Sequence, residues 1–390
     1  MIDLDWDPEV ESPATIAVIG GGPMGIETAI YGRFLGYFVS IIEERRVAHR
    51  MLDWHDRPLD VEVQQCTTTL GHAAILSQYP EYVRRAPTDR YTGRTYADEY
   101  LLPLAKTDLL FDDIHFLSPV SDVSRLQTHI DDAIVSQERC NDEFRIVVQG
   151  RHRGTWISRA DVVIDCRGQS QKRSGIGPGG GQAIGESELK DAFLKHTPLD
   201  RKFEAKQIAG KRICLVGQSV QAAQFAMEFL QHTSGLADTR LHWIVRPDHR
   251  HDSTLVTKAI EAFENASLSN AVVIESLGVE QMQRTEAGAI KLKLLSQDDT
   301  AVELECDAIA PFTHGRSCNL TTELDERPLF EAGHEYDFVT REPGFYRLRG
   351  GNIEDGAGVG LADGFERIRR LFAMLSGRED LDLYEVLARG

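Results

Sequence analysis

The sequence predicts an α/β chain of two strand–turn–helix domains, the second inserted into the first. Three observations carry that prediction. An apolar run, a glycine turn, a helical pattern and a second apolar run follow one another between Thr15 and Glu43. The same succession returns from Lys211 to Arg246, and each copy is followed by short strand-like segments that end in another buried-looking strand.

The first unit opens on the β-branched run Ile16 to Ile19, turns through Gly20, Gly21 and Gly22, and enters a helical pattern at Pro23 and Met24. A second run, Phe38 to Ile42, ends on Glu43, twenty-three residues after Gly20, with Glu44 beside it. Gly20, Gly22 and Gly25 stand in G-x-G-x-x-G order. Gly20 permits the tight turn, Gly22 lets the backbone approach a pyrophosphate, and Gly25 lets the helix lie close to the sheet. The helix N-terminus then meets phosphates with free N–H groups and a favourable dipole. An acid at Glu43 suits the free 2′-hydroxyl of an adenosine ribose and repels a 2′-phosphate.

Beyond Glu43 a polar segment leads to an expected helix from Tyr96 to Leu109 and a strand from Ile114 to Leu117, with Val120 just after it. Ala133 to Val135, Phe144 to Val148 and Thr155 to Ile157 alternate like a small antiparallel meander. They run into Asp161 to Ile164, which ends at Cys166, Arg167 and Gly168. Ser170 to Gly181 is rich in Gly, Ser and Lys and reads as a connector.

In the second unit Gly217, Ser219 and Ala222 stand where the three glycines stood. The strand Leu241 to Val245 ends at Arg246 rather than at an acid. A guanidinium there suits a 2′-phosphate, so NADPH is expected over NADH, which stays admissible. Ala271 to Glu275, Ile290 to Leu295 and Val302 to Leu304 look like a second meander, running into Asp307 to Ala310. Near the end, Leu361, Phe365, Ile368, Phe372 and Leu375 recur at helical spacing as a core-facing stripe. The expected domains are residues 1–180 and 311–390 for the first fold and 181–310 for the insertion.

Composition narrows the partners. Against 43 basic residues stand 61 acidic ones, a formal charge of −18, which disfavours nucleic acid. The acidic start MIDLDWDPEVES has no apolar core of a signal peptide, and no apolar run approaches a membrane span. A cytoplasmic location is expected, with a small-molecule substrate, no membrane partner, and a homodimer left open. The six cysteines form no C-x-x-C, so neither a disulfide framework nor a zinc site is suggested. Cys214, in an expected buried strand, reads as a core residue.

These residues resemble the two-dinucleotide-binding-domain flavoproteins, the superfamily of flavin-containing monooxygenases and pyridine nucleotide-disulfide oxidoreductases. The resemblance covers nearly the whole chain: the FAD fingerprint with Glu43, the DVVIDCRG segment ending at Gly168, the inserted NAD(P) fingerprint, and a closing segment from Gly350 to Gly364. It implies two Rossmann-like domains, with the NAD(P) domain inserted into a discontinuous FAD domain, and FAD and NADPH as cofactors. Gly351 and Asn352 stand where the family's Gly-Asp reaches the ribityl chain, with Gly360 further along the same segment. Cys166 and Arg167 stand where the family usually has Ala-Thr, and Asn352 replaces an acid.

The resemblance implies hydride transfer from NADPH to flavin. Because the family's redox dithiol is missing, dioxygen, a small organic acceptor or a partner protein remains to take the electrons. The leading expectation is a flavin monooxygenase acting on a small molecule. An NAD(P)H-dependent reductase or oxidase with a small-molecule or protein acceptor, and a non-catalytic flavin-binding module, are the alternatives. No catalytic acid or base is assigned: His55, His72 and His314 are candidates on expected loops, and His249 and His251 read as a polar rim beside Arg246. Arg167 is expected near the pyrimidine edge of the flavin, where it would stabilise negative charge on the reduced ring.

Overall fold

The computed structural model describes residues 4–386, apart from 55, 57, 134–135, 169–173, 195–207, 234–237, 248–253, 266–270, 298–300, 314–319, 332 and 349–358. The chain divides into two compact units, Met1–Gln169 with Cys318–Gly390, and Ser170–Ser317.

The first unit is centred on the strand Thr15–Ile19. It lies in a five-stranded parallel sheet in the order Phe345–Arg347, Val162–Asp165, Thr15–Ile19, Phe38–Ile42, Ile114–His115. Ile16 pairs with Val39 on one side and Val162 on the other, so the central strand is bonded along both edges. Its residues are apolar without alternation because both faces are covered. Ile16 and Val18 pack with Ile26 and Ile30 of the helix Pro23–Phe34 and with Phe365, Ile368 and Phe372 of the helix Val359–Leu375. Ala17 and Ile19 pack on the opposite face with Phe144, Ile146 and Val148 of an antiparallel sheet, Val120–Arg125, Phe144–Gly150 and Gly154–Ala160.

The second unit repeats these layers. Its parallel sheet runs Ala271–Glu275, Arg240–Val245, Arg212–Val216, Ala308–Pro311. Ile213 and Leu215 face Phe225, Phe229 and Phe263 of the helices Val220–Thr233 and Thr254–Asn265. Cys214 and Val216 face the other way, onto Val279, Leu292 and Leu294 of an antiparallel sheet. Cys214 is fully buried, as its place in the strand predicts.

Several elements differ from the sequence reading. The segment expected as one helix from Tyr96 to Leu109 is Gly93–Tyr96, a π turn Ala97–Leu101, and Leu102–Ala105. The strand at Ile114 stops at His115, since Leu117 turns to φ 52°. Val120–Arg125 supplies the first strand of the meander, while residues 134–135 lie outside the described residues. Ala271–Glu275 is not a meander strand: it pairs in parallel with Arg240–Val245, and Gly278–Arg284 takes its place against Ile290–Leu295. Among the described residues no helix is long and apolar enough to cross a membrane.

Candidate functional site

Where the first parallel strand ends, three glycines do three different things. Gly20 adopts φ +109°, and a Cβ there would stand 3.1 Å from the backbone of Cys166 and Arg167, which come in from the neighbouring strand. Gly25 would place a Cβ 1.7 Å from the carbonyl oxygen of Gly20, so the first turn of the helix rests directly on the glycine turn. At Gly22 a Cβ would meet nothing within 4 Å. The space in front of that residue is open, and it faces the start of the helix.

Gly22 is the N-cap of Pro23–Phe34, has no side chain to cap it, and is followed by Pro23 at the first helical position. The opening N–H groups of a helix have no partner within it, and here no side-chain cap substitutes for one. Met24 is buried behind the turn, its sulfur 2.4 Å from where a Cβ on Gly364 would stand, so its side chain packs against the bare backbone of the closing helix there. Glu43 reaches back across the mouth. Its Oε2 accepts the Gly21 N–H at 2.5 Å and its Oε1 accepts the Arg45 N–H at 2.7 Å. Each oxygen keeps a further lone pair for a hydroxyl donor. The carboxylate is thus held at the rim of the open space, 9% exposed.

The other expected contacts spread around this turn. Glu44 is exposed. Val120 is half-buried and packs against the core that contains Ile19 and Ile42. Gly168 is exposed, and a Cβ there would stand 2.7 Å from an Arg50 guanidinium nitrogen. The Arg167 guanidinium is drawn onto buried Asp165, Nε at 2.9 Å and Nη2 at 3.2 Å. Cys166 is buried with its sulfur 3.6 Å from the Thr28 hydroxyl, and burial pushes its thiol well up. Gly351 and Asn352 lie outside the described residues, while Gly360 is the second residue of the helix Val359–Leu375.

His72 is a correction. It stands within the helix Thr69–Gln78 rather than on a loop, and it is buried, with Nε2 3.1 Å from the Thr67 hydroxyl and Nδ1 3.1 Å from that of Tyr82. Burial lowers it to about 4, so it is a neutral core histidine at working pH. His55, His249, His251 and His314 lie outside the described residues.

The second turn has the same plan and different stitching. Gly217 adopts φ +123°, and a Cβ there would stand 2.2 Å from the Phe312 carbonyl oxygen. Its own carbonyl accepts the Trp243 indole N–H at 2.8 Å. The Ser219 hydroxyl accepts the N–H of fully buried Ala222 at 3.2 Å, capping the helix Val220–Thr233. Gln218 donates from Nε2 to the Arg246 carbonyl at 2.8 Å, and Arg246 is exposed at the end of its strand. Turn and arginine are therefore fastened together by the Gln218 side chain on the Arg246 backbone.

Sequence reasoning overlooked two of these groups. Trp243 has no mark in the sequence beyond being aromatic in a strand. Glu27 did carry a signal, because it is an acid among apolar residues on a helix whose middle is buried. Its carboxyl is buried and bonded to Thr68 and Tyr100.

No protein-family model and no curated protein sequence matches the chain. Solved structures do. The FAD-bound cadaverine monooxygenase DfoA of Erwinia amylovora aligns over 95% of this chain and 96% of its own, with a TM-score of 0.62 at 13% identity. The ornithine hydroxylase PvdA of Pseudomonas aeruginosa gives 0.58 at 13% identity over 93% and 99%. The thioredoxin reductase of T. acidophilum gives 0.56 at 15% identity over 93% and 99%. Spanning the full length of both kinds of enzyme, with a glycine turn opening each of two α/β units, this chain has the fold of the two-dinucleotide-binding-domain flavoproteins.

Proposed function

We propose that the protein is an FAD-dependent, NAD(P)H-using oxidoreductase, and within that class a monooxygenase acting on a small molecule. The observation that carries the reading is the open space at Gly22, bounded by an uncapped helix N-terminus on one side and the Glu43 carboxylate on the other. An FAD pyrophosphate fits that cradle, which a side chain at position 22 would occupy in its place. The groups that would hold it are the N–H groups of Gly22, Met24 and Gly25, with Glu43 accepting from the adenosine ribose. Bound there, FAD supplies the capacity to take a hydride and pass electrons to an acceptor.

The rest of the work falls to this chain's own residues. Gly217, Ser219 and Ala222 form the second turn, and Arg246 offers a guanidinium to a 2′-phosphate, which favours NADPH over NADH. Asp165 holds the Arg167 side chain in an ion pair, while the Arg167 backbone lies against Gly20. The six cysteines include no C-x-x-C pair, which disfavours a disulfide reductase of the kind matched in T. acidophilum and favours the two monooxygenases. Primary amines such as those named for these two are the first substrates to assay.

The test is the visible spectrum of the purified protein, followed anaerobically as NADPH is added and then on admitting air. Expected are an oxidised flavin spectrum, bleaching by NADPH, and oxygen uptake that yields a hydroxylated product when the right amine is present. Peroxide release indifferent to every substrate would move the reading to a reductase or oxidase. A colourless protein that takes up no FAD would overturn it.

A further inference from the structure

Glu27 stands on the buried side of the helix Pro23–Phe34, two residues beyond Gly25, and is 1% exposed. Its Oε1 accepts the Thr68 hydroxyl at 2.5 Å and its Oε2 accepts the Tyr100 hydroxyl at 3.3 Å. The arrangement is specific. Tyr100 enters from the π turn Ala97–Leu101 and also accepts the Thr68 N–H at 3.1 Å, while a Cβ on Gly71 would stand 2.0 Å from its hydroxyl.

Among the described residues, every group that bears on this carboxyl is a hydroxyl. Thr68 comes from the segment before the helix Thr69–Gln78, Tyr96 from just before the π turn, Tyr100 from within it, and Tyr384 from the helix Leu383–Val386. The Tyr384 hydroxyl is buried near it and has no hydrogen-bond partner among the described residues. No cation is among them. Burial without a counter-ion pushes Glu27 up to about 7, against the pull of the hydroxyls that donate to it.

We propose that Glu27 links dinucleotide binding at the Gly20–Gly25 turn to the uptake of a proton. The inference rests on reading that turn as a phosphate cradle. Five residues of helix separate Gly22 from Glu27, about 7.5 Å along the axis, and helical side chains lean toward the N-terminus. A pyrophosphate seated at Gly22 brings negative charge within about 10 Å of a carboxyl whose partners among the described residues include no cation. Ionised Glu27 opposes that anion and protonated Glu27 does not, so binding draws a proton from the buffer onto the carboxyl. Affinity then falls as pH rises through neutrality, on the order of tenfold between pH 6 and 8.

The experiment is calorimetric titration of flavin-stripped full-length protein with FAD, in buffers of different ionisation enthalpy near pH 7. FAD is the suitable probe because its pyrophosphate carries no group that titrates there. The wild type is expected to take up a fraction of a proton per FAD, and Glu27→Gln to bind FAD with that uptake lost and its affinity flat across the range. Equal uptake by both proteins overturns this inference alone. Absence of binding by the wild type at any pH overturns the cradle reading and this inference with it. Should Glu27→Gln fail to fold, Tyr100→Phe serves instead: it removes a hydroxyl that favours the ionised form and moves the midpoint of uptake to higher pH. An unmoved midpoint overturns the proposal.

Discussion

The two glycine turns are built on one plan and differ in what closes them. At the first, nothing lies within 4 Å of a Cβ on Gly22, and the helix begins without a side-chain cap. At the second, the Ser219 hydroxyl takes the Ala222 N–H, the Trp243 indole holds the Gly217 carbonyl, and Gln218 reaches the Arg246 backbone. A turn that satisfies its own donors keeps its shape without a ligand. A turn that leaves them open keeps donors that an anion can take over from water. Under the proposed function, the difference suits the first turn to a resident dinucleotide and the second to one that comes and goes.

The largest expected effect breaks the first turn outright. Gly25→Ala drives a Cβ into the Gly20 carbonyl oxygen, 1.7 Å away, where both partners are backbone and neither can swing aside. Thermal or denaturant unfolding should show a loss on the order of 3 kcal/mol, with bound flavin lost as well. Gly22→Ala is the sharper probe. The new methyl enters open space, so stability should stay within about 0.5 kcal/mol while FAD affinity falls on the order of a hundredfold. A stable Gly22→Ala protein that still purifies yellow would contradict the cradle at this position.

Much of this contrast is legible in the sequence, for a physical reason. A parallel strand covered on both faces has to be apolar throughout, so Thr15–Ile19 and Phe38–Ile42 announce themselves, and the backbone demands of the turn leave glycine few substitutes. Short β-branched runs do not declare their partners in the same way. Ala271–Glu275 reads equally well as a meander strand or a parallel edge strand, and only long-range pairing decides. Gly278–Arg284 hides because Glu280, Gln281, Gln283 and Arg284 dilute its apolar residues, and a register shift between Val279 and Gln281 breaks the alternation. The cluster around Glu27 is the least legible part. Its members come from residues 27, 68, 100 and 384, and no local pattern joins them.

Arg246 tests the second turn at its rim. Arg246→Ala should raise the dissociation constant for NADPH about tenfold and leave that for NADH nearly unchanged, as read by fluorescence titration with each nucleotide. Equal weakening of both would mean that the arginine shapes the loop rather than meeting a 2′-phosphate.

The smallest effect separates the two ways of closing a turn. Ser219→Ala removes the cap on Val220–Thr233 and should cost about 1 kcal/mol of stability in the unliganded protein. The Ala222 N–H that it frees sits at the helix N-terminus, where a bound nucleotide phosphate can accept from it. Saturating NADPH should therefore narrow the difference in melting temperature between variant and wild type, because the ligand replaces the cap. If the Ser219 hydroxyl instead contacts the phosphate itself, the ligand will widen that difference. A widened gap would make the second turn, like the first, a site with donors left open for its ligand, and the distinction between resident and exchanging dinucleotide would then have to come from elsewhere in the two units.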